Sequence, residues 1–319
     1  MRTGFASFSG VHYLKPTDRG LVPMTGISTK NFKQNLIAWS FILPNLLGFI
    51  AFTLVPMVFA LGLSFMNWDG SGAITFAGLE NFRELLRDET FKISAANTLY
   101  YVVGTVPTTL ACSLGLAVLL NREMKGRNFF RAVFFFPYVA SLVAVAVVWN
   151  MMFHPSMGPV NSILTALGVQ NPPKWSASVT WAMPTVIMSS IWRNAGYYMI
   201  IYLAALQGIP RELYEAAKID GAGSWQCFRK ITVPLLTPAT FFVTMMLTIN
   251  SFKIFDLIYV MTSGGPGRAT NVLVFAIYNA AFIEFRFGYS SAMALVLFVI
   301  VVAITVVQFR MEKKWVSYQ

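Results

Sequence analysis

Charge is what this chain has least of. Only 12% of its 319 residues are Asp, Glu, Lys or Arg, about half the share of an ordinary soluble domain, while 56% are hydrophobic and the mean hydropathy is +0.61. A soluble fold is excluded on that ground, and an integral membrane protein is the class that remains. Cysteine is nearly missing: Cys112 lies in an apolar run and Cys227 in a charged loop, which suits neither a disulfide framework nor metal-ligand spacing. Two histidines, His12 and His154, are too few for a metal site. The chain has no G-x-x-x-x-G-K-[ST] phosphate loop, no H-E-x-x-H and no G-x-S-x-G. Gly264-Gly265-Pro266-Gly267-Arg268 is glycine-rich but lacks the lysine and hydroxyl of a nucleotide loop. No catalytic residue, metal or cofactor is therefore expected here, and any ATP that drives this protein is hydrolysed by another chain.

What is present is a positive excess, net +11. The cations are not clustered with stacking aromatics, so nucleic-acid binding is a poor reading. They sit mostly in the turns between apolar runs. Residues 34–68 and 93–121 carry no charge at all, and each is longer than the roughly 20 apolar residues a membrane helix needs. Further spans are expected over 132–153, 180–208, 235–262 and 288–307, making an all-α integral membrane protein of six transmembrane helices. Pro44 and Pro56 are expected to kink or bound the first span. Residues 1–36 form a polar tail, too long before the first apolar run for a cleaved signal peptide. The loop 69–92 carries a small helix over 81–86. Residues 271–287 lie at an interface, and a short tail covers 309–319.

The distribution of Lys and Arg orients these spans. Sixteen of the 24 fall in the two tails and the loops 122–131 and 209–234, six fall in the opposite loops, and two lie within spans. The positive-inside rule then puts both termini and the 209–234 loop in the cytoplasm. That loop holds a short helix after Pro210. Pro210 suits a first helical position, Glu212 complements the helix dipole, and Gly221 and Gly223 suit left-handed stops. About three turns are too few to be stable alone in water. Leu213, Ala216, Ala217 and Asp220 share one face, with small residues that allow close approach. Docking of another protein fits this face better than an amphipathic helix resting on lipid, because its apolar surface is weak.

The residues Glu215-Ala216-Ala217-Lys218-Ile219-Asp220-Gly221-Ala222, followed by Ile231-Thr232-Val233-Pro234-Leu235, resemble the EAA loop of bacterial binding-protein-dependent ABC importers. Ser251-Phe252-Lys253-Ile254-Phe255-Asp256-Leu257 through Thr262, followed by Gly264-Gly265-Pro266-Gly267, is similar to the carbohydrate-uptake branch, on the side of the maltose-type F subunit. The resemblance implies a type I importer transmembrane domain over 94–308, after a first helix over 37–68, with the EAA loop at 209–235. It also implies a bacterial inner-membrane permease subunit paired with a homologous half, two cytoplasmic ATPases and an extracytoplasmic solute-binding protein. Glu215, Ala216, Ala217, Asp220 and Gly221 are then the ATPase-coupling residues.

Charged residues inside spans cost about 2.5–3.5 kcal/mol each on insertion scales. Arg193, Lys253 and Asp256 therefore either form a structural ion pair, such as Arg193 with Asp256, or line a polar pathway. Ser190, Arg193, Asn194 and Tyr197 recur on one helical face, and Asn250 and Ser251 lie beside Lys253. The resemblance extends sugar contact to Ser190, Asn194, Tyr197 and Ser251. Arg193 and Lys253 depart from the maltose-type pattern and would suit a partly anionic ligand, so a polyol phosphate stays open beside a sugar. A membrane-embedded enzyme or channel is the alternative from another class, but neither needs an inward-facing docking loop.

Overall fold

The computed structural model describes residues 29–316, so most of the expected tail over 1–36 lies outside the described residues. The described residues divide into two compact units, one ending at Pro56 and the other beginning at Met57. In the first, helix α1 (Thr29–Phe49) runs through Pro44 without a break and passes into a π-helical turn, Ile50–Leu54. The N–H of Val55 reaches back to Ile50 O, five residues away, immediately before Pro56, whose ring and missing N–H disfavour ordinary helical bonding. The disturbance is thus a register change ahead of Pro56. Helix α2 (Val55–Leu63) continues the run, and Asn35–Leu63 as a whole is long and apolar enough to cross a membrane.

In the second unit a small hairpin, β1 (Met66–Asn67) with β2 (Thr75–Phe76), leads into α3 (Glu80–Arg87). Asn81 pins this corner by donating to Ser64 O at 3.0 Å and Met66 O at 2.9 Å. Asp88 then caps α4 (Glu89–Asn121), accepting from the Thr90 N–H at 2.7 Å. Helix α4 starts four residues before the expected span. Gly126, with φ +78°, turns the basic loop into α5 (Arg127–Val139).

The third expected span is not one helix. Ala140 is extended, and α5 meets α6 (Leu142–Met152) at 98°. The following loop holds α7 (Pro159–Ala166), and α8 (Ala182–Gln207) matches the fourth expected span. After α9 (Arg211–Ile219), the chain runs through α10 (Ser224–Cys227), a π turn at Phe228–Thr232 and α11 (Val233–Leu235). It then bends by 63° into α12 (Thr237–Phe252).

The fifth expected span is also broken, at Lys253–Phe255, before α13 (Asp256–Met261). The turn-rich segment after it is followed by α14 (Leu273–Phe282) and α15 (Phe287–Trp315). Six continuous apolar spans are therefore not reproduced. Among the described residues three helices pass by length and composition, or up to five if each bent pair crosses once. Helix α8 has the length, 26 residues, but carries too many polar side chains to be counted. It lies inside the unit, where those side chains meet protein.

Helices α4 and α8 form the central pair, and the approach is permitted by small residues. A Cβ on Gly104 would stand 2.7 Å from Ile187 Cδ1, and one on Gly196 would stand within 2 Å of the Phe134 carbonyl oxygen of α5. One buried cluster joins α4 and α8 to α12 through Val106, Tyr202, Leu247 and their neighbours. A second joins α4, α6, α8, α13 and α14 through Tyr101, Ala146, Val186, Ile258 and Phe275. The glycine-rich segment is held from α4: Asn97 donates to the carbonyls of Arg268 and Asn271, and the Leu273 N–H donates to Thr98 Oγ1.

Candidate functional site

The interruption of the fifth span explains why two charges belong there. Lys253 closes α12, where carbonyl ends favour a cation, and Asp256 opens α13, where free N–H groups favour an anion. The N–H groups of Lys253 and Ile254 turn back onto Asn250 O and Ser251 O at 3.2 and 3.3 Å. Non-helical backbone within a membrane domain is tolerated where it lines a cavity, and here it does. A cavity of about 380 Å³ lies between α4, the α5–α6 bend, α8 and this break.

Seven of the eight sequence-selected pathway residues line it: Ser190, Arg193, Asn194, Asn250, Ser251, Lys253 and Asp256. Tyr197 does not. Its ring stacks on Tyr138 at 4.2 Å and packs into the core, so its place on the polar stripe serves packing. The structural ion pair is not formed either, since no carboxylate lies within 4 Å of Arg193 or Lys253 among the described residues. Arg193 instead lies over the Tyr138 ring, 5.2 Å from its centroid, and its Nη2 donates to Tyr138 O at 3.3 Å. The bend between α5 and α6 deprives that carbonyl of its normal helical partner, so the arginine completes the break. Its buried Nε has no acceptor.

Asn194 Nδ2 donates to Ser190 O at 2.8 Å and Ser190 Oγ at 3.1 Å, and Ser190 Oγ lies 2.6 Å from Tyr101 OH. This chain of polar groups crosses from α8 to α4. Tyr101, Tyr138, Tyr198 and Phe255 supply aromatic walls that the sequence reading passed over. Their signal was weak, because single aromatics in apolar runs carry no pattern that separates a cavity wall from core. The cavity therefore offers hydroxyl, amide and charged groups beside ring faces.

The second candidate region is α9. Pro210 occupies the N-cap instead of the first helical position, and Glu212 lies in the first turn as expected. Only Gly221 is left-handed, at φ +79°, whereas Gly223 is extended and precedes α10. The Ala222 N–H bonds Ala217 O at 2.8 Å and the Gly221 N–H bonds Lys218 O at 3.0 Å, a complete Schellman stop. No residue of α9 is buried. Leu213, Glu215, Ala216 and Asp220 are exposed, Ala217 is half-buried, and the most exposed large apolar side chains within 209–235 are Ile219 at 87% and Trp225 at 70%. Those two were missed, since one lies off the chosen face and the other beyond the helix. Tyr214 ties α9 to the following π turn through Thr232 at 2.9 Å.

A helical membrane unit with a polar central cavity and an unburied charged helix between spans has clear relatives. The binding-protein-dependent transport system inner membrane component family matches residues 108–317. The chain belongs to this family. The probable ABC transporter permease protein YesP of Bacillus subtilis (strain 168) is 39% identical over 291 residues, 90% of this chain and 94% of that protein. The lactose transport system permease protein LacF of Rhizobium radiobacter is 38% identical over 275 residues, 85% and 91% of the two chains. Among solved structures, a bacterial ABC transporter involved in import of the acidic polysaccharide alginate aligns with TM-score 0.80 at 25% identity. The alignment covers 90% of this chain and 98% of that one. As a member of the binding-protein-dependent transport family, this chain is an inner-membrane transport subunit with the type I importer fold, and it is not an enzyme. The family region contains α9 and all seven cavity residues named above.

Proposed function

We propose that this chain is one of two membrane subunits of an ATP-driven importer for a sugar or oligosaccharide, and that the central cavity is its part of the solute path. The cavity carries the reading: seven polar or charged side chains from α8 and the α12–α13 break meet aromatic faces in one space of about 380 Å³. A saccharide needs many hydrogen bonds for its hydroxyls and flat apolar surfaces for its ring faces. The names of LacF and the alginate transporter support that solute class. The remaining members of the assembly in this reading are a homologous permease, two cytoplasmic ATPases and an extracytoplasmic solute-binding protein.

Both termini and α9 face the cytoplasm in this arrangement. The ATPase docks on α9, with Glu215 pairing to a basic side chain, Ala216 and Ala217 admitting close contact, and Asp220 and Gly221 ending the helix. Ile219 and Trp225 add apolar contact. The test is uptake of radiolabelled oligosaccharides by cells carrying Asn194→Ala or Ser251→Ala, with membrane insertion checked by immunoblot. Uptake should fall at least tenfold in each, matching the roughly 1.5–3 kcal/mol of a lost polar contact in a desolvated site. Unchanged uptake in both would place the solute path elsewhere. Arg193 and Lys253 favour one second reading, a polyol phosphate, which would show as uptake of glycerol phosphate in preference to neutral sugars.

A further inference from the structure

Away from the cavity, the first turns of α5 bring two guanidinium groups together without a counter-charge. Arg127 and Arg131 are four residues apart and so share a helix face, and that face packs on α8. With the Gln207 amide oriented to satisfy them, its oxygen accepts from Arg127 Nη2 at 2.6 Å and from Arg131 Nη2 at 2.9 Å. One neutral oxygen thus serves two cations. Among the described residues no carboxylate lies within 4 Å of either guanidinium, and the Nε of each is buried without an acceptor. The N-cap, Gly126, brings no side chain to the first free N–H groups of this 13-residue helix, whose dipole adds to the positive field.

We propose that Arg127 and Arg131 form a binding site for a phosphate oxyanion carried by an anionic membrane lipid. The chemistry asks for an acceptor with several oxygens, because paired guanidinium forks match phosphate geometry. The setting selects the lipid as its source. Phe129, Val133 and Phe136 are exposed on the opposite side of the same helix from the arginines, an apolar surface that suits acyl chains and puts the first turn of α5, where the arginines sit, at headgroup depth. Arg122 and Lys125 in the preceding loop enlarge the cationic surface. Basic clusters at the end of a membrane helix attract anionic headgroups by this physics, at roughly fivefold in affinity per cation.

The experiment is native mass spectrometry of the full chain, purified in detergent and incubated with equal phosphatidylglycerol and phosphatidylcholine. Wild type should retain phosphatidylglycerol preferentially, and Arg127→Gln/Arg131→Gln should retain at least tenfold less. Arg127→Lys/Arg131→Lys, which keeps the charge but loses the planar fork, should retain less than wild type and more than the Gln pair, whereas Arg229→Gln/Lys230→Gln, which removes another basic pair, should retain as much as wild type. Equal retention of both lipids by wild type would overturn the proposal without recourse to any variant. Undiminished phosphatidylglycerol in the Gln pair would overturn it too. Millimolar inorganic phosphate should leave lipid retention intact; displacement of the lipid by phosphate alone would reassign the site to free phosphate and overturn the lipid assignment.

Discussion

Gly196 shows how much one missing atom group decides. A methyl there would lie within 2 Å of the Phe134 carbonyl oxygen, so α8 could not hold its distance from α5. Gly196→Ala should destabilise the protein by about 3 kcal/mol, read as a lower apparent Tm in detergent. Gly104→Ala, which meets only the flexible end of Ile187, should be milder. Asp88 acts through charge. Partial burial pushes its carboxyl up, but the Tyr289 hydroxyl at 2.6 Å and the Thr90 N–H at 2.7 Å outweigh this and hold it below the ordinary 3.8. A carboxyl depressed on folding stabilises the fold above its unfolded value and loses that contribution as pH falls through its folded value. Asp88→Ala should therefore cost about 1 kcal/mol as a lost cap. The Tm gap to wild type should be constant over roughly pH 5 to 8 and shrink below about pH 4.

At the scale of elements, the informative features are the places where helices stop. The break at Lys253–Phe255 exposes backbone and two charges to one cavity, and the α5–α6 bend frees a carbonyl that Arg193 takes. In α9 the stop is the Schellman turn at Gly221, whose φ of +79° disfavours a side chain by about 1–2 kcal/mol. Gly221→Val has open space around it, so only the backbone is strained. It should leave the subunit inserted and abolish solute-stimulated ATP hydrolysis in the reconstituted importer. Full stimulation would remove α9 from the coupling path. Helix α9 is legible in the sequence because its signals are local: a proline, a dipole-matched acid and a glycine. The α5–α6 bend is not readable there, since apolar composition continues straight through it, and the break at Lys253–Phe255 shows in the sequence only as two charges inside a span, not as a helix end.

For the whole molecule, the sixteen-to-six division of Lys and Arg predicts sidedness. With Cys112 and Cys227 replaced by serine, single cysteines at Ser71 and Lys174 should react with an impermeant maleimide from outside spheroplasts. Cysteines at Lys125 and Ile219 should react only in inverted vesicles. The reverse pattern would invert the topology and remove α9 from the side of the ATPase.

Membrane residence, the absence of a nucleotide loop, the position of α9 and the list of polar residues in spans were all determined by the sequence. Each depends on composition or on neighbours within two helical turns. Which of those polar residues face one another was decided only by tertiary packing. Ser190 meets Tyr101 across 89 positions of sequence, Tyr197 leaves the polar stripe to stack on Tyr138, and Arg193 forgoes Asp256 for the Tyr138 carbonyl and ring. Periodicity places a side chain on a helix face. Which partner that face meets depends on where a glycine lets two helices close and where a helix breaks, and neither is written in the apolar pattern around them.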